Sequence, residues 1–288
     1  MISNRLVHRL IFVCALAGGC AGTKLQAASC VWKVTGPNGG SMFLGGSVHV
    51  LQKSDYPLPA AYDRAFDASS RLVFEYDPKE MSNAYKGYLK AGEYPKGDSL
   101  KNHVDPRTYA YLRKFFGLLG VSEDKFRSYR PWFIELMLSA PPPENSALGV
   151  EGFLTRRARA KSKPISGLET MREGIETFSG MSDRQSEAVL LLFFVNLGRD
   201  RPGGRGMLSA WRQGDTETLA RLVKDAFSEV PGYHERLIDR RNRKWLGKID
   251  GCVQSGKTYF VVAGAGHMGG SQGLLALLKG RGYRIEQL

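Results

Sequence analysis

The stretch from Thr258 to Gly270, TYFVVAGAGHMGG, has the pattern of a buried strand that ends in a glycine-rich turn. Its first part, Tyr259 to Val262, is β-branched and aromatic, as buried strands usually are. The turn brings the backbone close to any ligand and places His267 just beyond the carboxyl end of the strand. Open α/β sheets bind their ligands at that edge. The stretch therefore predicts an α/β fold with His267 in a binding position.

A second unit of the same design lies near the other end of the chain. Met42 to Leu44 is a short apolar strand, and Gly46-Ser47-Val48-His49 follows it. The whole sequence contains five histidines, so two strand-Gly-x-x-His units are difficult to attribute to chance. We expect His49 and His267 to belong to one site.

The net charge of the 288-residue chain is +13, from 41 basic and 28 acidic residues. A surface with this charge attracts nucleic acid, anionic lipid or acidic polysaccharide. The length and the hydrophobic content of 42% allow a large core, formed by one domain or by two small ones.

The first residues of the chain favour export. Basic residues precede a short apolar run at positions 10–17, and small residues follow it. Because a membrane span needs about 20 apolar residues, this pattern indicates a signal peptide over residues 1–27. We expect an exported, periplasmic protein, for which nucleic acid is a poor partner. The alternative is a lipoprotein, anchored to the membrane through Cys20 in the imperfect cleavage motif Ala17-Gly18-Gly19-Cys20.

Cys30 and Cys252 each precede a predicted strand. In an oxidising compartment we expect them to form a disulfide that ties the N-terminal strand to the C-terminal unit. The alternative is a pair of buried thiols.

Strand patterns cluster at the two ends of the chain, and helix patterns fill the middle. The termini must therefore meet in one sheet, with the segment of about residues 100–250 as a helical cap over its carboxyl edge. Residues 28–288 would form one α/β domain. The predicted strands are a hairpin at 31–45, then 71–76, 163–168, 258–263 and 283–286. The predicted helices are 59–68, 105–116, 130–139, 149–161, 188–197, one capped by Asp215, 233–249 and one containing Leu274 to Leu278, with a break at 141–143 and a basic loop at 199–206.

The C-terminal unit also matches two common motifs. Residues 264–269 (GAGHMG) fit the dinucleotide-binding pattern, with Glu286 about 20 residues further on, where a ribose-binding acid belongs. No second mononucleotide-binding half follows, and an exported protein has little access to NAD. Residues 269–273 (GGSQG) fit the nucleophile elbow, but Ser271 lies well past the strand and no histidine follows His267. We assign neither motif.

In a third interpretation, the two histidines are functional groups of a metal site. His49, His267 and Glu75, which ends the third strand, form a two-histidine, one-carboxylate set that suits zinc, manganese or cobalt. Such a site lowers the pKa of a bound water and provides a nucleophile for hydrolysis. Isolated histidines at glycine turns are more often structural hydrogen-bonding groups, so that alternative stays open.

An ordered set of motifs resembles the TraB/PrgY/GumN family, and the chain is most similar to its GumN-type exported bacterial members. The resemblance implies a fold akin to that of erythromycin-esterase-like proteins. The animal Tiki branch of the family consists of membrane-anchored metalloproteases that depend on manganese or cobalt. The motifs are Trp32-Lys33-Val34, Leu44 to His49, Leu58-Pro59, Phe74-Glu75, Gly149-Val150-Glu151, Gly167 to Thr170, Arg241-Asn242, Ala263 to His267 and Gly280-x-Gly282-Tyr283.

The resemblance implies that His49, His267 and Glu75 are metal ligands or catalytic groups. Glu169 ends a strand and is a candidate general base. Glu151 lies at a helix start, where the helix dipole stabilises a carboxylate whatever its function. The family pattern suggests that Arg241 pairs with a site carboxylate or binds an anionic group of the substrate. The residues assigned to substrate binding are Gly46, Gly264, Gly266 and Asn242.

We therefore predict a metal-dependent, peptidase-like hydrolase that acts on a peptide or an envelope polymer. Water on the metal would attack a carbonyl, Glu75 or Glu169 would accept the proton, and Arg241 would hold the substrate or the oxyanion. One alternative is a non-catalytic envelope protein that binds polysaccharide or peptide. The other is a metal-free esterase that uses a histidine as general base.

Overall fold

The structure, a computed structural model, describes residues 28–140, 148–197 and 205–288. Several predicted features lie outside these ranges. They are the signal peptide over residues 1–27 with its lipidation candidate Cys20, the proline break at 141–143, and residues 199–204 of the basic loop.

Within the described ranges, six strands form one sheet in the order β4-β3-β5-β2-β1-β6. The strands β2, β5, β3 and β4 run parallel. Strand β1 pairs antiparallel with β2, and β6 pairs antiparallel with β1 at the edge of the sheet. The prediction that strands from both ends of the chain share one sheet is confirmed. The strands are β1 (Val31–Thr35), β2 (Ser41–Ser47), β3 (Arg71–Phe74), β4 (Ile165–Gly167), β5 (Tyr259–Gly264) and β6 (Arg284–Gln287).

Eleven α-helices accompany the sheet in the same ranges, so the α/β class is confirmed. None of these helices combines the length and the apolar character that crossing a membrane requires. The helices are α1 (Ala60–Ala68), α2 (Met81–Gly92), α3 (Pro106–Leu118), α4 (Pro131–Ser139), α5 (Val150–Ala160), α6 (Met171–Ser179), α7 (Asp183–Asn196), α8 (Arg205–Gln213), α9 (Thr216–Ala226), α10 (Arg240–Gln254) and α11 (Leu274–Gly280).

Local sequence signals explain where several helices begin. Asp105 caps α3 by accepting a hydrogen bond from the Arg107 amide, and Ser182 and Gln185 form the predicted capping box at α7. The predicted helix at 233–249 is instead a π-helical turn, Glu235–Asp239, that leads into α10. The helices α2, α6 and α8 were not predicted.

Strand β5 lies in the middle of the sheet and explains the continuous apolar run of the opening stretch. Phe260, Val261 and Val262 are fully buried, as expected for a parallel strand that is covered on both faces. Strand β2 pairs with it in parallel register, with Ser47 opposite Gly264. The two Gly-x-x-His units therefore begin side by side at one edge of the sheet.

The parallel strands bring four predicted site residues to the same edge. His49 follows β2, Glu75 follows β3, Glu169 follows β4 and His267 follows β5. Because parallel strands end on the same side of a sheet, residues that lie far apart in the sequence become neighbours in the fold.

The geometry of the C-terminal unit excludes the dinucleotide motif. Glu286 lies on the edge strand β6, and β2 and β1 separate it from β5. The glycines of the turn allow close packing instead: a Cβ atom at Gly269 would lie 2.1 Å from the Thr216 carbonyl oxygen, and one at Gly266 would lie 2.9 Å from Val223.

The predicted disulfide between Cys30 and Cys252 is wrong, because both cysteines are free, buried thiols. Cys252 lies within the last turns of α10, where its neighbour Val253 packs against Gly36 and Gly40 in the β1–β2 turn. Cys30 precedes the opposite end of β1, a five-residue strand that spans roughly 16 Å. A disulfide requires Cα atoms within about 7 Å, and burial raises the pKa of each thiol.

A histidine outside the sheet edge joins two parts of the helical region. Each nitrogen of the His103 ring forms a hydrogen bond with a carboxylate. Nδ1 lies 2.8 Å from Oδ2 of Asp183, and Nε2 lies 2.7 Å from Oδ2 of Asp98. It stacks on Tyr94 at a centroid distance of 4.2 Å, and the Arg130 guanidinium lies 4.6 Å from the centre of the same tyrosine ring. Two carboxylate acceptors are satisfied together only by the protonated imidazole, and the hydrogen bond to Asp183 is the main cause of the raised pKa of His103.

We expect this cluster to stabilise the fold at low pH. The pKa of His103 is raised in the folded state, so its contribution is complete below the unfolded value of about 6.5 and is lost as the pH rises through the folded pKa. Urea unfolding of the wild type and His103→Gln between pH 5 and 9 measures the difference. The stability advantage of the wild type should shrink as the pH rises. A difference that is constant with pH would contradict the protonated state.

Candidate active site

The predicted site residues surround Gly264, the last residue of β5. A Cβ atom at this position would lie 3.2 Å from Oε1 of Glu75, 3.6 Å from Nε2 of His49 and 3.6 Å from Cδ2 of His267. Glycine therefore leaves open the space that these three groups share. The two Gly-x-x-His units therefore lie next to each other at this position.

The imidazole of His267 is buried and held in one orientation. Asn242 donates from its amide nitrogen to the carbonyl oxygens of His267 and Gln272, at 3.2 and 2.8 Å. Its oxygen is thus the acceptor for Nδ1 of His267, at 2.7 Å. This assigns the proton to Nδ1, so Nε2 is an acceptor, and it lies 3.4 Å from the donor Nη1 of Arg241 and 3.9 Å from Oε1 of Glu75.

Burial lowers the pKa of His267 to about 3, and this effect outweighs the opposing charge of Glu75. The ring is therefore neutral at physiological pH. It also packs against the indole of Trp245, with a centroid distance of 4.6 Å. A neutral imidazole with a fixed tautomer is the form that accepts a proton or binds a metal ion.

The second histidine forms a pair with a carboxylate from a helix. Nδ1 of His49 lies 2.9 Å from Oε1 of Glu151, the second residue of α5, and the Ser47 hydroxyl donates to the same oxygen. The carboxylate raises the pKa of His49, whose side chain is 66% exposed. Gly149 makes the approach possible, since a Cβ atom there would lie 2.2 Å from the His49 carbonyl oxygen.

A buried guanidinium joins the two remaining carboxylates. Arg241 donates to Oε2 of Glu75 at 2.5 Å and to Oε1 of Glu169 at 2.7 and 2.9 Å. Its Nη1 lies 3.4 Å from Nε2 of His267. Arg241 thus pairs with carboxylates at this edge of the sheet. This pairing is one of the two roles suggested by the family pattern, the other being the binding of an anionic substrate group.

Glu75 and Glu169 have different surroundings. Burial opposes the ionisation of Glu75, but Arg241 and the Gly264 amide, which donates to Oε1 at 2.7 Å, contribute to holding its pKa well below the usual range. Glu169 is 5% exposed. One of its oxygens accepts from Arg241 and the other from the Trp245 indole at 3.2 Å. In this arrangement Glu169 supports Arg241 and does not face the space around Gly264.

His49, Glu75, Arg241 and His267 line one side of a cleft of about 410 Å³ at the carboxyl edge of the sheet. The sheet side carries the charged and polar groups. The opposite side comes from the helical region and is apolar. Its residues are Met207, Leu208, Val223, Phe227, Leu237 and Ile238.

The residues assigned to substrate binding have different positions. Gly264 and Gly266 line the cleft. Asn242 is fully buried behind His267 and orients its ring. Gly46 is buried, and its carbonyl oxygen accepts from the Tyr62 hydroxyl and the Trp211 indole, which fixes the end of β2.

Sequence reasoning underestimated Glu151 and missed Ser47, Tyr76 and Trp245. Tyr76 accepts a hydrogen bond from Arg241 at 3.2 Å. The available signal for Glu151 was the sequence Gly149-Val150-Glu151. It places a carboxylate at the second residue of a helix that begins directly after a glycine.

In the described parts of the chain, no three His, Cys, Asp or Glu side chains lie close enough to form a metal-binding group as they stand. The two imidazoles nevertheless have the surroundings of metal ligands. The Nε2 atom of His49 lies beside the space at Gly264, and that of His267 lies 3.9 Å from Oε1 of Glu75. An oxygen atom of Asn242 or Glu151 holds each Nδ1. Metal-binding histidines typically have such a partner on the other nitrogen.

The chain is similar to known proteins. The model of the TraB/PrgY/gumN family matches residues 30–287. The chain is similar to a protein named Metalloprotease TIKI homolog from Amphimedon queenslandica, with 21% identity over 304 residues. That match covers 86% of this chain and 59% of the relative, so the chain spans about three fifths of the relative's length. No solved structure matches the chain, and the likeness to erythromycin-esterase-like folds stays a prediction. Because the family match extends over nearly the whole sequence, the chain belongs to the TraB/PrgY/gumN family.

Proposed function

We propose that the chain is a metal-dependent hydrolase of amide or ester bonds, with its reaction centre in the space around Gly264. One observation carries the proposal: two imidazoles with fixed partners and the ionised Glu75 converge on a position that has no side chain of its own. The name of the Tiki-type relative, a metalloprotease homologue, supports the same class of reaction.

The charges of the site favour a divalent cation. Three carboxylates lie near one guanidinium: Arg241 pairs with Glu75 and Glu169, and Glu151 pairs with His49. The raised pKa of His49 favours its protonated form, which leaves one negative charge in excess. With His49 neutral, as a metal ligand must be, the excess is two. Burying such an excess is unfavourable unless a cation or protons balance it.

His49, His267 and Glu75 would hold the cation. Imidazole and carboxylate ligands suit zinc, manganese and cobalt. The bound ion would supply Lewis acidity, which polarises a carbonyl and makes water nucleophilic near neutral pH. Because Glu151 favours the protonated form of His49, cation binding there releases a proton and is favoured at higher pH.

The residues of the chain contribute orientation and charge. Asn242 and Trp245 fix the ring of His267. Arg241 keeps Glu75 ionised and in place. Two hydrogen bonds to the carboxylate of Glu169 hold Arg241 itself. The low pKa of Glu75 makes it a poor proton acceptor, which suits a carboxylate that stays ionised beside a cation.

A second candidate function is a metal-free esterase. The His49–Glu151 pair favours it, because a carboxylate on Nδ1 prepares Nε2 to act as a general base. In that mechanism His49 would take a proton from water, and Glu151 would stabilise the imidazolium that forms.

The proposed setting is the cell envelope, with a peptide or an envelope polymer as the partner. The signal-peptide pattern at residues 1–27 favours export, and lipidation at Cys20 is the variant that would add a membrane anchor. A non-catalytic binding protein is the outcome if no hydrolysis is found.

Metal content and hydrolysis test the proposal together. The protein is stripped with chelator, dialysed against manganese, cobalt and zinc, and assayed for bound metal and for cleavage of fluorogenic peptides and nitrophenyl esters. We expect near-stoichiometric metal in the wild type and none in a folded His49→Ala/His267→Ala variant. Activity should fall at least 100-fold in that variant, because the open space loses both imidazoles.

His103→Gln is the matched control, since it removes a histidine outside the site. It should keep both the metal and the activity. Absence of metal from the wild type would overturn the metal-dependent reaction. Ester hydrolysis that survives chelation and falls in Glu151→Gln would establish the metal-free esterase instead.

A further inference from the structure

A second cavity adjoins the reaction cleft on its apolar side. Its volume is about 340 Å³, and it lies among α4, α7 and α9. Met207, Val223 and Phe227 line both cavities. These three side chains are partly exposed, and they form a common wall between the space over Gly264 and the second cavity.

The second cavity is mostly apolar. Helix α7 contributes Val189, Leu192 and Phe193, and Ala226 and Tyr233 line the other side. Among the described residues, the remaining members of its lining are Glu135, Ser139 and Asn196. The Ser139 hydroxyl donates to Glu135 at 2.6 Å, so those two side chains already satisfy one another in part.

We propose that the second cavity holds a linear aliphatic acyl chain of the substrate, while the carbonyl at the end of that chain lies over Gly264. This assignment rests on the proposed hydrolase function and specifies its substrate class as acyl amides or acyl esters. Hydrolysis adds the hydroxyl of one water to the acyl carbon and its hydrogen to the leaving nitrogen or oxygen, as the C–N or C–O bond breaks.

Two features favour a hydrocarbon chain over a peptide in this cavity. A peptide main chain brings N–H and C=O groups that are costly to bury without partners, and most of the lining offers none. An acyl chain has no such groups. The common wall contains Met207, whose flexible thioether side chain adapts to a ligand that passes beside it.

Straight-chain methyl ketones test the binding of such a chain. They are uncharged, carry a carbonyl at one end and cannot be hydrolysed, so their binding is independent of catalysis. Calorimetric titration of the full chain with ketones of six to twelve carbons should give a Kd that falls about fourfold per added methylene. The fall should stop when the second cavity is full.

Ala226→Leu fills the second cavity and lies outside the lining of the reaction cleft. In this variant the long ketones should lose their advantage while the shortest binds as before. Ala220→Leu, on the same helix but lining a separate cleft, is the matched control and should keep the dependence on chain length. Thermal unfolding of both variants checks that each is folded.

A flat ketone series in the wild type would overturn the acyl-chain inference, whether or not the protein hydrolyses peptides. The same holds if Ala226→Leu leaves the series unchanged, or if apolar tripeptides bind more tightly than ketones of equal length. A steep series in a protein that hydrolyses neither amides nor esters would retain the chain-binding site and overturn its role in hydrolysis. The failure of this inference is therefore distinguishable from the failure of the proposed function.

Discussion

Replacing Arg241 with methionine is expected to lower the free energy of unfolding by about 3–5 kcal/mol at pH 7. The guanidinium is buried between Glu75 and Glu169, and its removal leaves two carboxylates without their cation. Methionine keeps much of the apolar volume of the side chain, so the main loss is electrostatic. Urea unfolding measures the change, because urea does not screen charges as guanidinium does.

The destabilisation should depend on pH. Without Arg241, burial raises the folded-state pKa of Glu75 above the unfolded value of about 4.3. The penalty from Glu75 is then present at neutral pH and disappears as the pH falls and this carboxylate accepts a proton. A second substitution, Glu169→Gln, should recover part of the loss because it removes one of the unpaired charges.

Arg243→Met is the matched control on the same helix. Arg243 pairs with Glu235, and both side chains are about 40% exposed. Exposed pairs of this kind contribute about 0–1 kcal/mol. A loss of less than 1 kcal/mol in Arg241→Met, similar to that of the control, would contradict the structural role assigned to the buried guanidinium.

The positions of the two histidines could be predicted because local sequence determines them. A β-branched run followed by Gly-x-x-His specifies a strand and the point where it ends. Parallel pairing then brings the ends of β2 and β5 together without further information from the sequence. The prediction of His49 and His267 at one edge needed only these two steps.

The partners of the histidines were harder to predict. Glu151 lies 104 positions from Ser47, and their contact depends on how α5 packs against the end of β2. A carboxylate at a helix start has a local explanation in the helix dipole, so the pattern alone does not indicate a contact with His49. Long-range packing decided that role.

The basic helix illustrates the same limit. Arg240, Arg241 and Arg243 are close together in the sequence, yet only Arg241 among them is buried. Its burial depends on the contacts with Glu75 and Glu169, which follow strands far away in the sequence. The failed disulfide has a related cause, since α10 continues to Gln254 and includes Cys252.

Replacing Gly264 with alanine is expected to lower kcat/KM at least 100-fold while the protein stays folded. The added methyl group would lie 3.2 Å from Oε1 of Glu75 and 3.6 Å from Nε2 of His49. It would fill the space in which these groups meet and force Oε1 of Glu75 to move by a few tenths of an ångström. Excluding the reacting groups from that space should cost at least as much as a misplacement of about 1 Å, which costs about 100-fold in rate.

The backbone at Gly264 accepts alanine, because its φ of −48° and ψ of 135° lie in a region open to all residues. The free energy of unfolding should therefore change by no more than about 1 kcal/mol, well below the loss expected for Arg241→Met. Gly251→Ala is the matched control: it lies within α10, and its added methyl group would have no neighbour within 4 Å. That change should stabilise the helix by about 0.5–1 kcal/mol and leave hydrolysis and metal content unaltered. If Gly264→Ala retained full activity and full metal content, the reaction could not take place in the space that the two imidazoles and Glu75 share.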